Sequence, residues 1–199
     1  LLKLVRIPPE RLKLALTEPV SASHQRAAER LAAFSTSTIE HGDSLAAIAE
    51  REFELIISNH VLYYVPDLAG TLAALVERLA PDGHLLLAIA GNDNPLIQFW
   101  RRGFATLGQP VPYFVAEDVA AALSKSGIVH SQTAVPYELI FDDSEVNRLT
   151  ILRFLFAEHL ARMPRAAMLT LFDPVARNGR IEFRTGSQHF VCRPSRGSG

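Results

Sequence analysis

The segment 53–91 limits the possible folds more than any other part of the chain. It starts with the apolar run 53–57 and ends with a second apolar run at 84–90. Between the runs, Asp67 is a suitable N-cap for a helix whose leucines recur at the spacing of one helix face: Leu68, Leu72, Leu75 and Leu79. Strand, helix and strand at this spacing form a βαβ unit. Because both strands are apolar throughout, we expect a parallel sheet covered on both faces.

Turn residues and hydrophobic periodicity predict the other elements. Pro81, Asp82 and Gly83 predict the end of the helix and a turn before the second strand. Further helices are expected at 21–34, 94–107, 115–126 and 144–162, with a helical turn at 45–50. Further strands are expected at 11–17, 38–41, 128–141, 180–184 and 188–192, the last two separated by a turn at 185–187.

Composition indicates a single globular domain. The chain has 199 residues, of which 48% are hydrophobic and 21% charged. A net charge of −1 predicts no nucleic-acid partner, and the lack of an apolar run of about 18 residues predicts no membrane span. The single cysteine, Cys192, fits a reducing, cytoplasmic compartment. We expect one domain over 1–193 and a disordered tail at 194–199.

Polar side chains follow three of the predicted strands. Glu18 follows the first, Asp43 and Ser44 the second, and Asn59 and His60 the strand that opens the βαβ unit. The carboxyl ends of parallel strands meet at one sheet edge, where ligands bind in open α/β folds. Each position also has a simpler interpretation. Glu18 suits a helix start, a Gly-Asp-Ser sequence is a common turn, and a histidine can be hydrogen-bonded without a chemical role.

Several kinds of site are not indicated by the sequence. No spacing of histidine and cysteine is typical of zinc, so we expect no metal. There is no G-x-S-x-G nucleophile motif and no glycine-rich phosphate loop.

Three short motifs in the βαβ segment resemble a known family. FELI at 53–56, LYYV at 62–65 and LAPDG at 79–83 are similar, in this order and spacing, to the fourth strand, fourth helix and fifth strand of class I S-adenosylmethionine-dependent methyltransferases. The resemblance implies a Rossmann-like α/β fold: a mostly parallel sheet with helices on both faces and an antiparallel terminal strand pair. It also implies S-adenosyl-L-methionine as cofactor.

The same resemblance implies roles for the polar residues. Glu18, followed by Pro19, would hold the ribose hydroxyls of the cofactor, and Asp43 with Ser44 would meet the adenine. Asn59 would contact the adenosyl or methionine part. His60 would face the methyl acceptor, either accepting a proton or orienting it.

Within the class, the layout is most similar to the histamine N-methyltransferase family. LYYV-x-D at 62–67, a tryptophan before two arginines at 100–102, and a helical insertion at about 144–174 carry this similarity. Tyr64 and Trp100 would then be pocket aromatics suited to a planar or cationic acceptor, or else ordinary core residues. This chain departs from the family in having His60 where a substrate-binding glutamine stands, and Thr185 near the position of a last-strand asparagine.

One expected motif is not found. Methyltransferases of this class carry a glycine-rich loop after their first strand, upstream of the acidic residue. Only 17 residues precede Glu18, and none of them is glycine. We therefore expect this chain to lack the first strand and the loop, and to bind the cofactor weakly by itself.

The sequence thus predicts methyl transfer from S-adenosylmethionine to a small molecule, with an amine nitrogen as the expected acceptor. Transfer to a hydroxyl or carboxylate is an alternative that the sequence does not separate from it. A non-catalytic, cosubstrate-binding domain without the glycine-rich loop is the second alternative. A nicotinamide-dependent oxidoreductase is disfavoured because it also needs that loop.

Overall fold

The computed structural model describes residues 12–35, 39–42, 48 and 52–194. The chain divides into two compact units, 1–52 and 53–199. Several expectations fall outside the described residues: the absence of the first strand, nearly all of the helical turn at 45–50, the positions of Asp43 and Ser44, and the tail after Pro194.

The first unit contains two short parallel strands and one helix. β1 (Ala15–Thr17) pairs with β2 (Glu40–Gly42), and α1 (Ser21–Ala32) connects them. The backbone N–H of Glu18 donates to the carbonyl of Gly42 at 3.1 Å, which continues the pairing by one residue. This βαβ arrangement agrees with the predicted strand, helix and strand, although β1 is shorter than predicted.

The second unit begins with the predicted βαβ unit. β3 (Phe53–Asn59) is followed by a 3₁₀ turn (Leu62–Tyr64), α2 (Leu68–Glu77) and β4 (Leu79–Ile89). The elements after it are α3 (Pro95–Thr106), α4 (Ala116–Lys125), β5 (Val129–Asp142), α5 (Glu145–Phe156), a 3₁₀ segment (Ala157–Arg162), α6 (Arg165–Leu169), a second 3₁₀ segment (Thr170–Val175), β6 (Ala176–Arg177) and β7 (Arg180–Arg193).

These strands form one mixed sheet in the order β3-β4-β7-β5, with β6 paired to β7. β3 and β4 are parallel, whereas β7 is antiparallel to β4, β5 and β6. The register places Asn59 of β3 beside Ala88 of β4, and Ala88 beside His189 of β7. The end of β3 therefore lies two strands away from the middle of β7.

Local capping explains the helix starts. The Asp67 carboxylate accepts from the backbone N–H of Gly70 at 3.0 Å, as predicted for the N-cap of α2. Asn94 caps α3 by accepting from the N–H of Leu96 at 2.9 Å, and Pro95 occupies the first turn. In both helices the capping side chain bonds a backbone N–H only two or three residues further along the chain.

The predicted turn at 81–83 is wrong. α2 ends at Glu77, and β4 already begins at Leu79 and runs through Pro81, Asp82 and Gly83. The register between β3 and β4 shifts in this region, because Phe53 pairs with Leu79 but Leu55 pairs with His84. The turn-forming residues therefore lie at an irregularity inside β4, and not in a turn that precedes the strand.

Two further boundaries differ from the predictions. The helix expected over 144–162 ends at Phe156, where Ala157 adopts φ 45°, and continues as a 3₁₀ segment. The two strand segments expected around 185–187 form the single strand β7. Gly186 pairs with Pro136, and a Cβ atom at Gly186 would lie 2.9 Å from the carbonyl of Val135. Glycine thus permits close approach of two strands instead of a turn.

The core of the second unit lies between the sheet and α2 to α6. Its largest fully buried side chains are Phe104, Phe156, Phe172, Phe183 and Phe190, together with several leucines. Arg148 of α5 holds the helical insertion to its flanks, with Nε 2.6 Å from one Asp143 oxygen and Nη1 2.7 Å from the carbonyl of Leu169. This ion pair lowers the pKa of Asp143 below its ordinary value.

Candidate functional site

The candidate site in the second unit is organised around the residue that follows β3. His60 adopts φ 57°, which is uncommon for a residue with a side chain, and its backbone N–H donates to the carbonyl of Ala88 at 2.8 Å. Left-handed backbone at a strand end is a feature that clusters at functional sites. Asn59, directly before it, is exposed, so its amide is accessible to a ligand.

A chain of two hydrogen bonds leads from the main chain of Ala90, the residue after β4, to the imidazole. The N–H of Ala90 donates to the Tyr63 hydroxyl oxygen at 2.8 Å, and that oxygen lies 2.9 Å from Nδ1 of His60. The planes of the His60 and Tyr63 rings differ by 22°, and their centroids are 6.0 Å apart. Tyr63 is buried, and burial raises the pKa of its hydroxyl to about 12. The hydroxyl is therefore protonated throughout the physiological range.

A second histidine influences His60. His189 of β7 is hydrogen-bonded through Nε2 to the hydroxyl of Ser187 at 3.1 Å. Burial, with a smaller contribution from His189, lowers the pKa of His60 below its usual value of 6.5. His60 is accordingly neutral at pH 7.

Four aromatic side chains form a cluster next to this histidine, and Tyr63 is the member that contacts it. Tyr64 is 55% exposed, and its ring meets the rings of Tyr113 at 4.9 Å and Trp100 at 6.4 Å between centroids. Trp100 also contacts Tyr63 at 5.2 Å. The predicted pair Tyr64 and Trp100 is thus joined to His60 through Tyr63.

Trp100 is 2% exposed, and its indole N–H donates to the carbonyl of Leu155 at 2.7 Å. The indole nitrogen is therefore hydrogen-bonded to α5. The buried ring packs against Tyr63, Tyr64 and Tyr113. In this structure Tyr64 and the partly buried Tyr113 are the more accessible members of the aromatic cluster.

Thr185 lies on β7 in a groove of about 410 Å³ that is lined by Pro136, Tyr137, Glu138, Arg184 and Thr185. The buried amide of Asn94 connects this region to the start of α3. Its Nδ2 donates to the carbonyl of Gly186 at 2.9 Å and to the Tyr137 hydroxyl at 3.3 Å. These bonds fix the backbone next to Thr185.

Glu18 belongs to the first unit and follows β1. One carboxylate oxygen, Oε1, accepts from the backbone N–H of Val20 at 2.9 Å. Within the described residues no hydrogen bond is found on the other oxygen, so it can accept a ligand hydroxyl. Pro19 follows as an exposed residue at the turn into α1. A carboxylate in this position fits a ribose, which presents hydroxyl donors.

The sequence analysis missed four residues of the site: Tyr63, Asn94, Tyr113 and His189. Tyr63 stands three positions after His60, within the LYYV motif. The motif alone does not show whether Tyr63 or Tyr64 contacts the histidine. His189 comes close to His60 only through the order β3-β4-β7, which no local pattern shows.

The described residues contain no group of three or more histidine, cysteine, aspartate or glutamate side chains that is arranged to bind a metal. In the same part of the chain, no helix is both long enough and apolar enough to cross a membrane.

Comparison with curated proteins supports the histamine N-methyltransferase resemblance over part of the chain. Histamine N-methyltransferase A of Xenopus laevis is 34% identical over 83 residues, which cover 39% of this chain and 27% of that protein. Histamine N-methyltransferase B of the same frog is 32% identical over 82 residues, again 27% of its length. The matched region therefore spans about a quarter of each relative.

Solved structures with a similar fold have low sequence identity. A proposed methyltransferase from Bacillus halodurans C-125 has a TM-score of 0.56 at 13% identity, covering 92% of this chain and 84% of the other. The YcgJ protein from Bacillus subtilis has a TM-score of 0.55 at 14% identity, with coverage of 92% and 83%. These likenesses confirm the predicted Rossmann-like fold.

A family model described as "Methyltransferase domain" matches residues 4–130, well over half of the chain. This match begins before Glu18 and includes the whole βαβ segment from which the family was predicted. The chain therefore belongs to the methyltransferase domain family, as its resemblance to class I S-adenosylmethionine-dependent methyltransferases predicted.

Proposed function

We propose that this chain is part of an enzyme that transfers a methyl group from S-adenosyl-L-methionine to the nitrogen of a small amine. Membership of the methyltransferase domain family supports the reaction and the cofactor. The observation that carries the proposal is the arrangement after β3, where the exposed Asn59 and the neutral His60 adjoin an accessible aromatic cluster. The partial similarity to histamine N-methyltransferases supports an amine as the acceptor.

Five residues are proposed to hold the cofactor: Glu18, Pro19, Asp43, Ser44 and Asn59. When bound, the cofactor supplies a methyl group on a sulfonium, which is reactive enough that the protein mainly has to orient the acceptor and exclude water. Glu18 has a carboxylate oxygen available for the ribose, and Asn59 has an exposed amide. Asp43 and Ser44 are assigned by the family resemblance alone.

Acceptor binding is proposed for His60, Tyr64, Trp100 and Thr185. Tyr64 offers an exposed ring face or edge to a planar or cationic group, supported from behind by Trp100. Thr185 offers a hydroxyl on β7. His60 is the proposed catalytic residue and contacts the acceptor. An amine that arrives neutral needs no strong base, so a neutral imidazole that orients it is sufficient.

Titration calorimetry with S-adenosylhomocysteine tests the cofactor assignment. We expect Glu18→Gln to weaken binding by about 1–3 kcal/mol, since a ribose hydroxyl then loses its charged acceptor. The matched control is Glu29→Gln, which changes a carboxylate on the exposed side of α1 that bonds only to Gln25 among the described residues. Its affinity should equal that of the unmodified protein.

Equal affinity of Glu18→Gln and Glu29→Gln would refute the ribose assignment. The acceptor class is tested separately, by supplying S-adenosylmethionine with a panel of small amines, alcohols and carboxylic acids and identifying products by mass spectrometry. N-methylated products are expected. Products from the alcohols or acids alone would overturn the amine proposal while leaving the methyltransferase proposal intact.

A further inference from the structure

The buried Tyr63 hydroxyl has two hydrogen-bond partners among the described residues, and they constrain its proton. The N–H of Ala90 can only donate, so the Tyr63 oxygen is the acceptor in that bond. The other partner is Nδ1 of His60, which can accept if it is unprotonated or donate if it is protonated. If Nδ1 donated as well, the hydroxyl would receive two bonds and its own hydrogen would have no acceptor in a buried position.

We propose that Tyr63 is a positioning residue that fixes the neutral imidazole of His60 in the tautomer protonated on Nε2. The hydroxyl accepts from Ala90 and donates to Nδ1, which satisfies all three groups. The bond from Tyr63 to Nδ1 opposes a ring rotation that would exchange the two nitrogens, because Nε2 would then face the hydroxyl. The left-handed backbone of His60 and the bond from its N–H to Ala88 hold the residue in this place.

This arrangement determines which hydrogen-bonding group of His60 is available to a ligand. Nδ1 is occupied by Tyr63, and the described residues supply no hydrogen bond to Nε2, so the available group is an N–H donor. The identification of this ligand with the methyl acceptor rests on the proposed function. That molecule would then carry, besides its amine, an atom with a lone pair such as a carbonyl, ether or ring nitrogen. A molecule with only donor groups would not be oriented by His60.

The titratable groups around the pair agree with a neutral imidazole. On β7, His189 is the group whose charge would oppose a proton on His60. Around Tyr63, the hydroxyls of Tyr64 and Tyr137 act in the same direction as burial and keep it protonated. A stable donor hydroxyl and a neutral acceptor nitrogen are the states that the proposed bond requires.

Nitrogen-15 NMR of the full chain, labelled in histidine, tests the tautomer without any ligand. At neutral pH we expect the His60 signals, assigned by their loss in His60→Gln, to show an unprotonated Nδ1 and a protonated Nε2. Tyr63→Phe removes the hydroxyl while keeping the ring, and should produce a mixture of the two tautomers. Tyr64→Phe removes the neighbouring hydroxyl, which does not bond His60, and should leave the single tautomer unchanged.

A His60 imidazole protonated on Nδ1 in the unmodified protein would overturn the proposal, even if Tyr63→Phe failed to fold. An unchanged single tautomer in a folded Tyr63→Phe variant would overturn it too, since another group would then hold the ring. Calorimetry with S-adenosylhomocysteine on the same samples reports on the proposed function independently. A failed tautomer test with intact cofactor binding therefore refutes only the role of Tyr63.

Discussion

At the scale of single residues, the surroundings of His60 alter the pKa of its side chain. Its side chain is half-buried and bonded to Tyr63, and its pKa is lowered by burial and, to a smaller extent, by His189. When folding lowers the pKa of a histidine, the unfolded chain binds more protons than the folded one. The folded state is then penalised as the pH falls through the usual value of 6.5 toward the lowered one.

We therefore expect the free energy of unfolding to fall more steeply on acidification in the unmodified protein than in His60→Gln. The glutamine oxygen can still accept from Tyr63, but the side chain cannot take up a proton. Urea unfolding at several pH values between about 7 and 5 measures both slopes. The other six histidines are common to both proteins. Identical slopes would show that folding does not lower the pKa of His60.

Residues were predictable from the sequence where their partners are close in the chain. Asp67 and Asn94 were placed correctly at helix starts because a cap bonds a backbone N–H two or three residues away. Tyr63 was not distinguished from Tyr64, since the difference depends on Ala90, 27 residues further on. The sequence predicted a candidate site after β3, whereas the contacts that distinguish the two tyrosines are tertiary.

At the scale of elements, the presence of the helices was predicted more successfully than the boundaries of the strands. β7 was predicted as two segments because Thr185, Gly186 and Ser187 are typical of a turn. Their strand conformation comes from pairing with Val135, Pro136 and Tyr137 of β5, which is distant in sequence. Pairing between distant strands thus overrides the local turn preference in β7.

The contact between α3 and the helical insertion gives a prediction at this scale. A Cβ atom at Gly103 would lie 2.4 Å from the ring of Phe156 and 3.0 Å from Met168. Alanine would gain about 1 kcal/mol in helix propensity, but overpacking at a buried site costs about 1–3 kcal/mol. Because the contact is with a fully buried ring, we expect Gly103→Ala to destabilise the protein. Urea unfolding measures the change.

A second substitution separates overpacking from other effects. Phe156→Leu creates space opposite Gly103, so the double variant should be more stable than the sum of the two single changes predicts. Additive changes in the free energy of unfolding would indicate that a side chain at position 103 does not contact Phe156, and that the packing of α3 against α5 is different.

At the scale of the whole molecule, β7 joins most of the second unit. It pairs with β4, β5 and β6, and its Cys192 is fully buried between Leu85 and His130. Burial raises the pKa of the Cys192 thiol to about 11, so very little thiolate exists near pH 8. This chain has one cysteine, which makes its reactivity an unambiguous signal.

We expect Cys192 to react with a disulfide reagent at least roughly 1,000-fold more slowly in native buffer than in urea, since labelling requires the core that covers the thiol to open. The rate is followed by absorbance of the released thiolate. The matched control is the double change Cys192→Ser with Ser131→Cys, which moves the thiol to an exposed position on β5 and should react quickly in both conditions. Fast labelling of native Cys192 would contradict its burial in the core of the second unit, because a side chain with no exposed surface reaches a reagent only when the residues packed on it move away.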